Sequence, residues 1–494
     1  MDRPCPRLLL AALRGGAGKT TLTLGLLAAW HSQGRVVVPF KKGPDYIDPA
    51  WHALAAGRPS HNLDPFLMEG AQIMAVVRRH ARTADCLLIE GNRGLYDGLD
   101  AEGTYSTAEL AKLLTVPVVL VVDCTMATRT VAALVLGCQH FDPQVPLRGV
   151  ILNQIARPRH EAILRHSIER YCGVPVLGAL PRLKCAVFPE RHMGLVPPQE
   201  HAAAIRAVTT ARELAEKYLD LEGLWQVAQQ APPLPLGPWP EAVAEAEGEP
   251  VTVGIIRDSA FQFYYTENLE ALAAAGARLV ELNALEVATL PADLDALYIG
   301  GGFPETHAQA LSENVRFREE IRRRAQQGLP IYAECGGLMY LGAAIRTLEG
   351  ERFPMVGIFP FDFVMGRKPQ GHGYTILEVE TDNPFFPLGS RLKGHEFHYS
   401  RIQPEPGPTD ALAFRVIRGA GVGGQRDGLL YKNVLATYTH LHALGAPQWA
   451  PALVARAREY RHARLARPAG EPALPKEPEL RATHRPLGEG PLFH

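Results

Sequence analysis

Short apolar runs alternate with longer amphipathic stretches from Leu8 to about Ile205. LLLAAL (8–13), RVVVPF (35–40), CLLIEG (86–91), VPVVLVVD (116–123) and LRGVILN (147–153) are too short for helices and apolar on both faces. They read as strands buried on both sides, as in a parallel sheet. Between them lie helical stretches such as TTLTLGLLAAWHSQG (20–34), which ends on a glycine stop. The repeating βα pattern predicts a doubly wound sheet. A helix is expected over about 211–229, and the following APPLPLGPWPEAVAEAEGEP (231–250) has the proline-rich composition of a linker. A second α/β pattern then begins with VTVGIIRD (251–258), ARLVELN (277–283), DALYIGGG (295–302) and LPIYAECGG (329–337). The expected organisation is a first domain over 1–229, a linker over 230–250, a second domain over 251–445, and a tail over 446–494. That tail holds an arginine-rich helical stretch over 450–467 and then a proline-rich segment expected to be disordered.

Composition narrows the class. The chain has 494 residues and a net charge of -1, so no global field recruits nucleic acid or a membrane surface. Seven scattered cysteines with no CxxC pair argue against a disulfide framework or a zinc site. The apolar run near the N-terminus is broken by Arg14 and glycines, and no apolar stretch approaches the ~20 residues of a membrane span. A cytoplasmic protein is the expectation.

LLLAALRGGAGKTTLTLG places Gly15, Gly16 and Gly18 between a strand and a helix opened by Lys19, Thr20 and Thr21. Glycines let backbone amides converge on a phosphate, the lysine adds charge, and a hydroxyl can bind Mg²⁺. The full P-loop pattern asks for glycine where this chain has Leu13, so the match is partial. ATP is the expected nucleotide. Carboxylates follow at successive strand ends: Asp45 and Asp48 in FKKGPDYIDPAWH, Glu90 and Asp97 in CLLIEGNRGLYDGLD, and Asp123 in VVLVVDCT. Such loops converge on the ligand crevice of a parallel sheet, where Mg²⁺ sits beside phosphate oxygens. Thr20, Asp45 and Glu90 form the expected metal set. Lys41, Asp48, Arg93 and Asp97 are assigned to the substrate, with the cations, Lys42 among them, suited to a carboxylate-bearing one. A single carboxylate of this kind is better read as a helix cap or turn former, and a single cation equally well as a solvated surface charge; the set at successive strand ends beside the glycine-lysine turn favours metal and substrate roles.

A different chemistry is suggested at IYAECGGLMYL (331–341). An apolar strand ends on Glu334, then come Cys335, Gly336 and Gly337, then a second apolar run. A cysteine at such a turn is either a buried structural thiol or a nucleophile beside outward-pointing amides. Gly336 and Gly337, with Gly300, Gly301 and Gly302 at the end of another strand, could supply oxyanion donors. His440 and His442 in ATYTHLHALG are candidate bases, with His395 and His398 in KGHEFHYS as competitors.

These segments together resemble the cobyrinic acid a,c-diamide synthase family over about residues 7–445. GAGKTT, FKKGPDYIDP, IEGNRGLYDG, VVLVVD, GVILN, GVPVLGALPR, AFQFYYTENLEAL, IGGGFPETHA, YAECGGLMYL, GHEFHYS and YTHLH carry the resemblance in the family's order. It implies two doubly wound α/β domains. The first is a P-loop NTPase-like domain of the dethiobiotin-synthetase type. The second is a flavodoxin-like class I glutamine amidotransferase domain. It implies Cys335 as nucleophile, His440 as base, and Gly301 and Gly336 at the oxyanion. The implied reaction is ATP- and glutamine-dependent amidation of the a- and c-acetates of a tetrapyrrole through an acyl phosphate, with ammonia passed between sites along a shielded path. Cobyrinic or hydrogenobyrinic acid is the expected acceptor, and sirohaem or another sirohydrochlorin-type ring the alternative. The chain departs from the family at Asn92 and Arg93, where most members carry an apolar pair. That loop is expected to face substrate, which adds Asn92 to the substrate set. His442 stands where many class I amidotransferases have a glutamate that orients the base, so the third member of the Cys–His site is left open. A homodimer is admitted as an assembly state. A reading of another class is a P-loop partitioning or regulatory ATPase with an inactive amidotransferase domain.

Overall fold

Apolar strands stack first into one parallel sheet. In the computed structural model, which describes residues 5–183, 190–191, 194–200, 203–234, 248–407 and 410–466, the first unit contains β1 (Arg7–Ala12), β2 (Val37–Lys42), β3 (His61–Leu63), β4 (Cys86–Glu90), β5 (Val118–Asp123), β6 (Leu147–Ile155) and β7 (Val176–Pro181). Their order is β3-β2-β4-β1-β5-β6-β7, all parallel. The helices are α1 (Lys19–Ser32), α2 (Ile47–Ala56), α3 (Gly70–Ala81), α4 (Thr107–Leu114), α5 (Thr130–Phe141) and α6 (Pro158–Cys172). A short ladder of β8 (Glu190–Arg191) and β9 (Gly194–Leu195) precedes α7 (Ala204–Tyr218) and α8 (Leu221–Gln229).

Local chemistry sets the helix ends. Glu69 and Gln72 form a reciprocal capping box on α3, Ser106 caps α4, and Pro158 opens α6, where its missing N–H costs nothing. The single helix expected over 211–229 is two, because Asp220 accepts the amide of Gly223 and starts α8 afresh. Helix α1 is buried on nearly every face, because it lies between the sheet and α7. Gly25 is the contact point: a methyl there would stand 2.4 Å from the Ala211 carbonyl oxygen. Strands β3 and β7 escaped the reading of the apolar runs, β3 because His61 and Asn62 are polar and only three residues pair.

The second unit starts with β10 (Val251–Ile256), β11 (Phe261–Phe263), α9 (Thr266–Ala274), β12 (Ala277–Leu282), β13 (Ala296–Ile299), β14 (Gly301–Gly302), α10 (Ala308–Glu313), α11 (Val315–Gln326), β15 (Ile331–Glu334) and α12 (Gly336–Leu341). It continues with β16 (Ala344–Arg346), β17 (Arg352–Pro354), β18 (Asp362–Met365), β19 (Gly371–Val379), β20 (Arg391–His398), β21 (Ser400–Gln403), β22 (Leu412–Arg418), β23 (Arg426–Tyr431), β24 (Val434–Thr437), β25 (His440–Leu441) and α13 (Trp449–Leu465). The main sheet runs β12-β10-β13-β15-β24-β23-β22-β19-β20-β25. It is parallel from β12 to β24, as the four apolar runs predict, and antiparallel beyond.

Helix α13, which falls in the expected tail over 446–494, is an integral part of this unit. Trp449, Leu453, Val454 and Ala457 are buried against the sheet, and Arg461 and Arg464 both pair with the buried Asp295. The linker residues 235–247 and the segment from 467 on, including the stretch expected to be disordered, lie outside the described residues. The described cysteines, Cys335 among them, are buried and form no disulfide; Cys185 lies outside that set. Among the described residues no helix is long and apolar enough to cross a membrane.

Hydrogen bonds hold the two units together. Asn62 N–H donates to Glu267 Oε1 (3.0 Å), Thr266 Oγ1 to the Ser60 carbonyl (2.8 Å), Gln72 Nε2 to the Leu444 carbonyl (2.6 Å), and Tyr374 O–H to Asp64 Oδ2 (2.8 Å).

Candidate active site

The turn between β1 and α1 makes a cradle. Gly16 and Gly18 take φ of 69° and 93°, which Cβ-bearing residues disfavour, and a methyl on Gly18 would stand 2.5 Å from Asn153 Nδ2. Asn153, at the end of β6, donates from Nδ2 to the Ala17 carbonyl (3.0 Å) and braces the turn. Gly15 and Gly16 are exposed, and Thr21 is half-buried in the first turn of α1. Lys19 Nζ donates to the Arg93 carbonyl (2.8 Å), which joins the cradle to the loop after β4. Burial lowers the Lys19 pKa, while Glu90 opposes the shift.

Beside the cradle lies an oxygen-rich cluster around Lys41. Its ammonium donates to Asp48 Oδ2 (2.5 Å) and Glu90 Oε1 (2.8 Å), and Asp45 Oδ2 lies 3.9 Å away. Thr20 Oγ1 donates to Glu90 Oε1 (2.8 Å) and reaches Asp48 Oδ2 at 3.4 Å. His52 Nε2 lies 2.7 Å from the other Glu90 oxygen. Burial alone would raise the Glu90 pKa, but Lys41 and His52 outweigh it and hold the carboxyl below its ordinary value. For Asp48, burial and then Asp45 push the pKa up to about 7 against the pull of Lys41.

This placement differs from the expected division of labour. Asp45 Oδ1 is taken up by the amides of Ile47 and Asp48 at the start of α2, so Asp48, expected among the substrate contacts, is the aspartate that faces Thr20. Asp123 also stands apart, bonded to Arg14 and Thr125. Asp97 closes its own loop by accepting the Gly94 amide (2.9 Å). The donors near Thr20 are all oxygen, the chemistry magnesium prefers, and magnesium asks for only one or two carboxylates when phosphates supply the rest. Among the described residues no group of three or more His, Cys, Asp or Glu side chains forms a metal cage.

The second site is at the carboxyl end of β15. Cys335 takes φ of 48°, a strained turn that sets its thiol between strand and helix. Its amide donates to the Thr437 carbonyl (2.8 Å) at the end of the neighbouring β24, and His440 follows three residues later. Gly301 is packed so closely on His440 that a methyl there would stand 2.5 Å from the imidazole Cε1. A methyl on Gly336 would stand 2.9 Å from the Gly302 nitrogen. Cys335, His440, Gly301 and Gly336 are thus brought into one site. The Gly300 amide is already spent on the Tyr264 hydroxyl (2.7 Å).

The competing histidines are engaged elsewhere. His398 Nδ1–H donates to the Ser400 carbonyl (2.8 Å), and its ring stacks on Tyr438. His395 stacks on His440 at 4.9 Å, and its Nδ1 lies 3.2 Å from the Tyr265 hydroxyl. Burial, then His440 and His442, hold the His395 pKa well below its ordinary value. Burial pushes the Cys335 thiol up, with Glu305 acting in the same direction, so the resting thiol is protonated and needs a base.

Comparison with known proteins fits both sites. The profile of the CobB/CobQ-like glutamine amidotransferase domain matches residues 252–448, and that of an AAA domain matches residues 6–189. The chain is 46% identical to the cobyrinate a,c-diamide synthase of Magnetococcus marinus over 92% of this chain and 97% of that protein. The belonging is decided by that coverage. The chain is a member of the cobyrinate a,c-diamide synthase family. The Archaeoglobus fulgidus protein of the same name is 43% identical over 89% of this chain and 94% of its own length. As a member of the cobyrinate a,c-diamide synthase family the chain is a glutamine-dependent amide ligase that uses ATP as co-substrate.

In this member of the family a cavity of ≈ 440 Å³ is lined by residues of both domains. Lys42, Asp45, Asn92 and Arg93 line it from the first domain, and Glu396 and His440 from the second. Tyr46, next to Asp45, lies against both Phe263 and His440 (ring centroids 5.2 and 5.3 Å). Tyr46, His52, Asn153 and Glu334 were not read as site residues from the sequence. His52 had a signal, since it lies one helical turn after Asp48. Tyr46 had none, because its partners belong to the other domain.

Proposed function

We propose that the chain amidates the a- and c-acetate carboxylates of cobyrinic or hydrogenobyrinic acid with ATP and glutamine. Two obstacles must be overcome, since a carboxylate is a poor electrophile and ammonia is mostly protonated in neutral water. In the first domain the γ-phosphoryl group of ATP passes to a substrate carboxylate oxygen, giving an acyl phosphate and ADP. Backbone amides of Gly15–Gly18 cradle the phosphates, and Lys19 stabilises the charge in flight. Thr20, Glu90 and Asp48 would hold Mg²⁺, which supplies charge neutralisation to the phosphates when bound. Lys42, Asn92 and Arg93 bind and orient the acceptor's carboxylates.

In the second domain Cys335 Sγ forms a bond to the side-chain carbonyl carbon of glutamine as His440 takes the thiol proton. Amides at Gly301 and Gly336 stabilise the oxyanion. The C–N bond then breaks, His440 returns the proton to the nitrogen, and ammonia leaves a thioester. Water cleaves the thioester to glutamate and the free thiol. Ammonia attacks the acyl phosphate, and phosphate departs. The observation that carries this reading is the cavity lined both by His440 and by Asn92 and Arg93, which supports passage of ammonia from the glutaminase base to the acceptor side.

Mass spectrometry of a reaction with purified protein, Mg²⁺-ATP and glutamine tests it, with cobyrinic acid and sirohaem supplied separately. Two amides on the corrinoid are expected. Amides on sirohaem alone would keep the chemistry and replace the acceptor, and no amide on either would overturn the proposal.

A further inference from the structure

The position two residues after His440 carries no carboxylate, and His442 does not serve His440. Its Nε2 points to Glu267 Oε2 at 3.6 Å, and its ring lies beside Tyr265, on the side facing the first domain. The carboxylate nearest the catalytic imidazole comes instead from the strand that carries the nucleophile. Glu334 Oε2 lies 3.6 Å from His440 Nδ1, a buried nitrogen with no hydrogen-bond partner. We infer that Glu334 is the positioning residue of the glutaminase site, completing a Cys335–His440–Glu334 arrangement in which nucleophile and carboxylate are consecutive in the chain. The inference rests on the reading of Cys335 and His440 as the glutaminase pair.

Glu334 is held as such a residue must be. It is 1% exposed. Tyr298 O–H donates to Oε2 (3.1 Å), and Tyr332 O–H (3.0 Å) and the Leu441 amide (3.0 Å) donate to Oε1. Asn268 Nδ2 donates both to Tyr298 Oη (3.3 Å) and to the Leu441 carbonyl (2.9 Å), closing the network onto the residue next to His440. Burial, then Glu334 itself, raises the pKa of Tyr298 and Tyr332 well above the ordinary phenol value, so both remain donors. The carboxylate is therefore oriented by neutral donors, with its charge left for the imidazole.

The geometry gives that charge a use. When His440 takes the thiol proton, the ring becomes a cation. Glu334 stabilises that cation and fixes Nδ1–H toward itself, which leaves Nε2 for the thiol and the leaving nitrogen. A charge-assisted N–H···O bond settles near ~2.8 Å. A spacing of 3.6 Å is a resting contact that tightens as the ring charges, as catalytic contacts commonly do when substrate binds. The other groups facing His440 do not compete: His395 is held neutral, Tyr46 is an uncharged phenol, and Cys335 is the proton donor. Of the carboxylates that act on the Cys335 thiol, Glu334 lies 3.6 Å from His440 Nδ1.

Glu334→Gln in the full-length protein tests the inference through three readouts: glutamine hydrolysis, ammonia-dependent amidation and the pH profile of hydrolysis. Glutamine hydrolysis should lose at least ~10-fold in kcat with KM little changed, since general acid–base catalysis is worth more than that. The limb of the profile that reports His440 should move to lower pH by about 1 unit, the size expected when a neighbouring opposite charge is removed. Ammonia-dependent amidation should be unchanged. Tyr298→Phe, which frees the oxygen facing His440 without removing its charge, should leave that limb in place or move it to higher pH. An unmoved limb in Glu334→Gln, or a fall to lower pH in Tyr298→Phe, overturns the inference. Should Glu334→Gln lose ammonia-dependent amidation as well, Tyr298→Phe alone decides. Failure of the underlying glutaminase reading looks different: Cys335→Ala would then still hydrolyse glutamine.

Discussion

The ring of Tyr46 lies 5.3 Å from that of His440, centroid to centroid, although the two residues belong to different domains. Tyr46 directly precedes α2, whose first turn carries Asp48, so one short segment touches both the phosphate side and the glutaminase side. Its ring also stacks on Phe263 and lies against Tyr265 and His395. A change in the loop at Asp45–Asp48 on nucleotide or acceptor binding would therefore reach His440 through a single packed side chain.

Tyr46→Ala should uncouple the two reactions. Glutamine hydrolysis should continue, while the amide formed per glutamate released falls clearly below that of the wild type. Parallel assays of glutamate and amide check this, and an unchanged ratio would count against a role for Tyr46 in coupling.

Cys335→Ala should abolish glutamine-dependent amidation and preserve amidation driven by a high concentration of ammonium salt at alkaline pH. Removing the nucleophile eliminates the thioester route entirely, whereas the P-loop domain keeps every residue assigned to phosphoryl transfer. Loss of both activities would show that the sites are not separable.

Lys19→Ala should give the reverse pattern, with amidation from either nitrogen source reduced by ~10²–10³-fold, the range seen when one charge-stabilising donor is removed. Glutamine hydrolysis measured without ATP should persist, because Lys19 bonds to the Arg14 and Arg93 carbonyls, both in the first domain.

His80 should make the fold sensitive to mild acid. Burial, then His61, whose ring centroid lies 3.9 Å away, lowers its pKa to about 3. An unfolded chain binds this proton below about 6.5, so between pH 6.5 and 3 the unfolded state holds more protons and stability falls as pH falls. Urea unfolding midpoints of His80→Gln should decline less steeply than those of the wild type across that window.

Leu453→Ala should destabilise the second domain by about 2–5 kcal/mol, the cost of removing a large side chain from a fully packed core. Leu453 is 0% exposed on α13. A change within a few tenths of a kcal/mol in denaturant unfolding would show that the helix is not part of the domain's cooperative core.

The sequence by itself determined the βα pattern of the first domain, the four parallel strands that open the second, and the glycine-lysine turn and cysteine elbow. These are legible because strand runs, helix stops and tight glycine turns are local, dictated by neighbours in the chain. Apolar strands such as Val118–Asp123 announce themselves by composition, but the antiparallel edge from β23 to β25 does not. Its strands alternate polar and apolar residues, and histidines such as His395 and His398 are buried there only because the first domain and neighbouring strands cover them. Tertiary structure alone decided that Asp48 faces Thr20, while Asp45 Oδ1 accepts the amides that open α2. It also turned His442 toward Glu267 and left Glu334 beside His440. Those relations join residues up to 175 positions apart, and which carboxylate meets which imidazole depends on how strands from distant parts of the chain are set side by side.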